Sequence, residues 1–248
     1  MSSKTFKDAE RQQTSILAPL ERAALRALAS RMPAWVNSDH LSLLGFVAMF
    51  LAGVFYAASG RNPMWLHLVN LCIFVNWFGD SLDGTLARYR DCQRPRYGFY
   101  VDHIIDTFGT MFIIVGLAIS GYITERVAAG SLIVFLMLAI NSYLAAYSLS
   151  IFKISHGKLG PTEIRLVLII GNLILLNSPY TRIFGQRFLL FDVGGIVAII
   201  GMAVMLIVSS IKNTRALYKL EPMPQVPGGS APRKEPLSEP PALAGGPV

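Results

Sequence analysis

Long apolar runs separated by short polar breaks dominate the chain. One run extends from Leu41 to Ser59 and closes on Arg61, Asn62 and Pro63. A second, Met64 to Gly79, passes without a break signal into Asp80 to Arg88, so the helix is expected to continue through that polar stretch. Tyr89 to Tyr97 then reads as a polar loop with one proline and three arginines. Further apolar runs follow at Phe99 to Ser120, Val127 to Phe152, Ile164 to Leu176 and Leu189 to Ile211. A bilayer span needs about 20 apolar residues, so the fifth run is short, and Pro179 follows it. Ahead of the first run, Leu17 to Met32 places Leu17, Leu20, Ala24 and Leu28 on one helical face and Arg22 and Arg26 on another. Such a helix suits a membrane surface or packing on the soluble side, and Pro33 ends it.

Composition strengthens this pattern. The chain has 248 residues, of which 53% are hydrophobic and only 15% charged, with a mean hydropathy of +0.48. That is too apolar for an ordinary soluble domain. The expected fold class is all-α: a polytopic membrane protein with six transmembrane helices and an N-terminal amphipathic juxtamembrane helix. Residues 1–40 are expected to form an N-terminal segment with the amphipathic helix, 41–211 a six-span membrane domain, and 212–248 a tail. Eight of the 14 prolines lie between Glu221 and Val248, without periodicity, and the tail is expected to be disordered. Met1 to Thr14 is polar and lacks the apolar core of a signal peptide. Cys72 and Cys92 suggest neither a disulfide framework nor a zinc site.

The net charge of +7 could suggest nucleic acid. The basic residues, however, sit at the ends of apolar runs, which is a topology signal. Eighteen of them fall in the N-terminal segment, the loops after the second and fourth runs, and the C-terminal segment; the other three loops carry four, namely Arg61, Arg126, Arg182 and Arg187. Six spans with both termini in the cytoplasm satisfy the positive-inside rule in every loop. A bacterial-type cytoplasmic membrane is the expected location, and nucleic acid is not an expected partner.

Chemistry concentrates between Asp80 and Asp106. Asp80 and Asp83 are three apart, and Asp102 and Asp106 are four apart, so on helices each pair shares a face. A carboxylate in the bilayer costs roughly 2.5–3.5 kcal/mol on insertion scales. Four together need compensation, most simply a divalent metal. Oxygen-only ligands favour Mg²⁺ or Mn²⁺ over zinc. Gly84 and Ala87 leave room for a bulky ligand against the helix backbone, and Arg88 offers a planar fork to phosphate oxygens. Metals bridging carboxylates and a diphosphate commonly serve displacement at phosphorus. These residues therefore point to metal-dependent phosphoryl-group transfer at a membrane surface, with the carboxylates at the cytoplasmic ends of the second and third spans.

The stretch resembles the signature of the CDP-alcohol phosphotransferases: Asp-x2-Asp-Gly-x2-Ala-Arg, a gap, then Gly-x3-Asp-x3-Asp. In this chain the matching residues are Asp80, Asp83, Gly84, Ala87, Arg88, Gly98, Asp102 and Asp106. The gap from Arg88 to Gly98 is nine residues where the family more often has eight, a one-residue loop insertion. The resemblance covers about Ser15 to Lys219 and implies transfer of a substituted phosphate from a CDP-linked donor to an alcohol acceptor, with release of CMP, in phospholipid synthesis. It implies a two-metal centre of Mg²⁺ or Mn²⁺ on Asp80, Asp83, Asp102 and Asp106. Asp106 would also be the general base, and Gly84, Ala87 and Arg88 would shape the nucleotide pocket. A homodimer among membrane lipids is a further expectation of the resemblance.

Weaker signals surround the core. Asn37-Ser-Asp-His-Leu-Ser42 is similar to the family's Pro-Asn-x-x-Thr segment, so Asn37 is a candidate nucleotide contact or else the N-cap of the first span. Asp102-His103 and Gly160-Pro-Thr-Glu163 resemble the choline/ethanolamine branch, with Glu163 a candidate contact for a cationic headgroup. Packing for His103 and a first-turn acid role for Glu163 are the alternatives. The compact six-span length instead resembles members that use CDP-diacylglycerol and a small alcohol. For an anionic acceptor, Arg90, Arg94, Arg96, Lys153 and Arg165 could line a basic pocket. Competing readings are a divalent-cation transporter, which would want acids near mid-bilayer on several spans, and a catalytically inactive homologue, against which the intact motif argues.

Overall fold

The computed structural model describes residues 18–149 and 160–223, with side chains from residue 21 onward. Among these residues the chain forms seven helices and one hairpin: α1 Ala18–Arg31, α2 Ser38–Ser59, α3 Trp65–Tyr89, α4 Pro95–Ser120, α5 Glu125–Leu149, α6 Pro161–Leu175, β1 Tyr180–Ile183, β2 Gln186–Leu189 and α7 Leu190–Leu220. Local chemistry sets several boundaries. Asn37 caps α2 by accepting from the His40 amide at 3.0 Å, while the Asn37 amide donates to His40 Nδ1 at 3.4 Å. Pro95 opens α4, and Gly121, at φ 79°, ends it. Glu163 reaches back to the Gly160 amide at 2.9 Å and fixes the start of α6.

The elements agree with the apolar pattern, with three differences. Helix α4 starts at Pro95, inside the stretch expected to be loop, because proline is preorganised for a first turn. Helix α7 runs past Ile211 to Leu220, so part of the expected tail is helical. Between α6 and α7 the chain forms an antiparallel hairpin in place of an irregular loop; Tyr-Thr-Arg-Ile and Gln-Arg-Phe-Leu have strand propensity on either side of Phe184-Gly185. The end of the fourth run beyond Leu149, Lys153 and Lys158, and the proline-rich stretch from residue 224 lie outside the described residues.

Helices α2, α4, α5 and α7 are each long and apolar enough to cross a membrane. Helix α3 is as long as α5 but carries the charged motif. Helix α6 has 15 residues, about 22 Å at 1.5 Å per residue, short of a hydrocarbon core of roughly 30 Å. The outward faces of α5 and α7 are apolar, and α7 has no buried residue. Exposed apolar surface on this scale calls for lipid rather than water. The protein is an all-α, polytopic integral membrane protein.

The bundle packs through small residues, as helices do where lipid offers no hydrophobic drive. A Cβ on Gly116 of α4 would overlap the Gly53 carbonyl of α2, and one on Gly79 of α3 would lie 2.6 Å from the Leu41 carbonyl oxygen of α2. Polar contacts link other helices: Tyr56 donates to Asn172 Oδ1 at 2.8 Å, and Asn172 donates to Asn70 Oδ1 at 2.7 Å, joining α2, α6 and α3. Helix α1 packs inward. Its buried stripe includes Leu25 and Ala29 against Leu82 and Leu86 of α3, whereas Ala24 of the expected apolar face is exposed. Of the two partners the sequence allowed, the stripe of Leu25 and Ala29 meets α3.

Candidate active site

Helices α3 and α4 turn back on each other through the loop at 90–94, where Asp91 takes the left-handed conformation at φ 52°. This reversal brings the end of α3 beside the start of α4. Asp80, Asp102 and Asp106 each offer a carboxylate oxygen, and the three oxygens lie within 4.8 Å of one another. Asp80 and Asp102 are half-buried and Asp106 is exposed. The nine-residue gap is therefore absorbed in the loop without separating the carboxylates. Three like charges this close repel strongly outside bulk water, so the arrangement calls for cations. Its all-oxygen donor set and spacing fit Mg²⁺ or Mn²⁺.

One cation is supplied by the chain. Arg165 of α6 donates from Nη2 to Asp80 Oδ2 at 2.6 Å and from Nε to Asn76 Oδ1 at 2.9 Å. Asn76 is buried and donates to the Gly45 carbonyl at 3.1 Å. A hydrogen-bonded chain thus runs from the α2 backbone through α3 and α6 to the first carboxylate of the motif. In the sequence Arg165 stood out only as a topology residue and a candidate for a basic pocket. Its position three helical residues beyond Thr162 gave no sign of an Asp80 contact, because that contact depends on how α6 packs on α3.

Asp83 stands beside the cluster and is engaged by α2. Its Oδ2 accepts from Ser42 Oγ of α2 at 2.6 Å and its Oδ1 from the Gly84 amide, and it is not among the three clustered carboxylates. Residues three apart on a helix diverge by about 60° (3.6 residues per turn), enough here to turn one carboxylate toward α2. Ser42 lies five residues beyond Asn37, two further than the threonine of the similar segment, so its Asp83 contact comes from the packing of α2 on α3. The Asn37 side-chain oxygen is engaged in the α2 cap.

The small residues of the motif lie beside the arginine. The Arg88 guanidinium folds over Gly84, with Nη1 3.3 Å from where a Cβ would stand, and Arg88 Nη2 donates to Thr85 Oγ1 at 3.3 Å. Ala87 is half-buried and Arg88 exposed. Gly98, in the first turn of α4, has open space where a side chain would project.

The two details that resembled the choline/ethanolamine branch have structural roles. His103 Nδ1 lies 2.6 Å from the Phe99 carbonyl oxygen, and its ring packs between Phe99 and Tyr143 at the α4–α5 contact. Glu163 caps its own helix. Thr162 instead donates to Glu21 Oε1 of α1 at 2.9 Å, and the same oxygen accepts from Trp77 Nε1 at 2.9 Å and Ser81 Oγ at 3.3 Å. Glu21 therefore joins α1 to α3 and to the start of α6, one turn from Arg165. Arg90 seals the same end, donating to the carbonyls of Met32, Pro33 and Val36. Glu21 carried no site signal in the sequence; Arg90, a candidate for a basic pocket there, has its guanidinium on these backbone carbonyls.

A cluster of carboxylates flanked by Gly, Ala and Arg on the helices of a membrane protein suits a transferase of phosphate groups. The chain belongs to the CDP-alcohol phosphatidyltransferase family, which matches residues 35–208. That span contains the whole aspartate motif, Ser42 and Arg165. Membership makes the chain a membrane transferase of phospholipid synthesis.

Proposed function

We propose that the protein transfers a substituted phosphate group from a CDP-linked donor to an alcohol acceptor and releases CMP, at the cytoplasmic ends of α3 and α4. The observation that carries the reading is the meeting of Asp80, Asp102 and Asp106 within 4.8 Å, inside the family's motif. These three residues would hold Mg²⁺ or Mn²⁺, with Asp83 beside them as the fourth carboxylate of a two-metal site. A divalent pair there would draw charge from the donor's diphosphate oxygens.

The chain's own residues do the rest. Gly84 and Ala87 give the nucleotide access to the α3 backbone, and Arg88 holds phosphate oxygens. Asn37 caps α2 through Oδ1, and its side-chain amide would serve as a further donor to the nucleotide. Asp106, the exposed carboxylate, takes the proton from the acceptor hydroxyl. The acceptor oxygen bonds to the phosphorus bearing the donor's alcohol moiety, the diphosphate P–O bond breaks, and CMP leaves with the electron pair. CDP-diacylglycerol is the favoured donor on the compact six-span length, and a CDP-amino alcohol with diacylglycerol is the alternative; the packing of His103 and the capping role of Glu163 support the first.

Helices α3 and α6 complete six spans in this reading, and both termini lie in the cytoplasm of a bacterial-type membrane. The direct test is incubation of the purified protein with CDP-diacylglycerol or CDP-choline, Mg²⁺ or Mn²⁺ and a panel of alcohols, following CMP and lipid product. Metal-dependent CMP release with CDP-diacylglycerol is expected. Divalent-cation uptake into proteoliposomes without CMP release from either donor would overturn the reading in favour of transport.

A further inference from the structure

The hairpin between α6 and α7 lies at the end of the bundle away from the carboxylates. Arg165 reaches Asp80 from near the start of α6, and the hairpin follows the other end of that helix. It joins directly to α7, a membrane-crossing helix, and its base is closed by the Leu190 amide on the Pro179 carbonyl at 2.9 Å. These connections hold it at the rim of the bilayer.

Two features of the hairpin are unfavourable in water. Arg182 and Arg187 face each other directly across the strands, and both are exposed. Like charges at such a pair destabilise a hairpin, yet among the described residues no carboxylate pairs with either. Asp192, the nearest acid in the chain, accepts from the Thr124 amide at 2.6 Å. At the tip, Phe184 is fully exposed and adopts φ 50° beside Gly185 at φ 80°. Paired positive φ angles in a two-residue turn favour Asn-Gly, and a bulky aromatic is an outlier there. Arg187 also lies 5.8 Å from the Tyr180 ring, which keeps guanidinium and phenol on one face.

Both features become favourable against a lipid headgroup. A phosphodiester between opposed guanidinia offsets their repulsion through charge-assisted hydrogen bonds. An aromatic tip and a tyrosine suit the membrane–water boundary. We propose that the hairpin is a binding site for the headgroup of an anionic phospholipid in the leaflet opposite the carboxylates, with Arg182 and Arg187 clasping the phosphate and Phe184 inserted beside it. The site accounts for two arginines on the side of the membrane that the charge rule leaves poor in them.

The test uses the full chain in nanodiscs, with Phe184→Trp as a reporter and wild-type tryptophan emission subtracted. Brominated phosphatidylglycerol is titrated against brominated phosphatidylcholine. The expected result is at least threefold stronger quenching at equal mole fraction by the anionic lipid. Adding R182Q and R187Q should abolish that preference while leaving quenching by phosphatidylcholine in place. Equal quenching by the two lipids in the reporter protein, no quenching by either, or a preference that survives the double substitution would each overturn the proposal. Thermal melting in detergent checks that the variants fold. The readout does not depend on CMP release, so it stands apart from the proposed reaction.

Discussion

Asp106 is the most exposed of the three clustered carboxylates, and it is the one assigned the acceptor's proton. General-base catalysis typically contributes 10²–10⁴-fold. Asp106→Asn should therefore lower the CMP release rate by about 100-fold or more, and full release by that variant would remove the assignment. Arg165 acts through Asp80, which it contacts at 2.6 Å with both side chains largely shielded (15% and 24% exposed). Arg165→Gln removes a fixed positive charge from Asp80 and should lower the Mn²⁺ concentration needed for half-maximal binding, read by electron paramagnetic resonance of the bound ion. Arg165→Lys should restore it only in part, since one ammonium cannot serve both Asn76 and Asp80 in the fork geometry. Unchanged Mn²⁺ affinity in both variants would make Arg165 a packing residue only.

At the scale of elements, two contacts set where the motif's helices lie. Gly116 lets α4 rest on the α2 backbone at Gly53. Gly116→Leu should force these helices apart, and the expected outcome is loss of a monodisperse peak in detergent size-exclusion chromatography. Glu21 presents a single carboxylate oxygen to donors from α3 and α6. Glu21→Ala leaves half-buried donors unsatisfied, each worth about 1–3 kcal/mol. A clear drop in thermal midpoint is expected, together with a shift in Mn²⁺ affinity, because α6 carries Arg165. A midpoint equal to wild type would show that α1 does not set the position of α6.

For the whole molecule, the orientation proposed here has a native reporter. Cys92 is exposed in the loop between α3 and α4, while Cys72 is buried. A membrane-impermeant maleimide should label Cys92 in inside-out vesicles and not in sealed right-side-out ones. A cysteine placed at Gln186 in the hairpin, in a Cys92→Ser background, should show the reverse. Labelling of both positions from the same side would rule out the six-span arrangement.

The apolar runs alone determined the helices, because a chain in lipid must satisfy its backbone internally and only long apolar helices do so over such lengths. The eight motif positions likewise pointed to the family, which the match over residues 35–208 shows. Several assignments were open to the sequence and settled by packing. Asp80 and Asp83 are equivalent by type and spacing, yet one meets Asp102 and Asp106 while the other is held by Ser42. Which way each points depends on how α2 and α4 flank α3, a long-range relation no local pattern records. For the same reason the Asp80 contact of Arg165 and the bridging role of Glu21 were not legible until α6 and α1 were set against α3. The hairpin was hidden too, because two four-residue strands carry little periodic signal beside helices of 20 residues and more. Sequence fixed which groups could act and the helices that bear them; only the tertiary arrangement decided which of those groups meet, because the meeting distances are set by close-packed glycine contacts and buried hydrogen bonds between helices far apart in the chain.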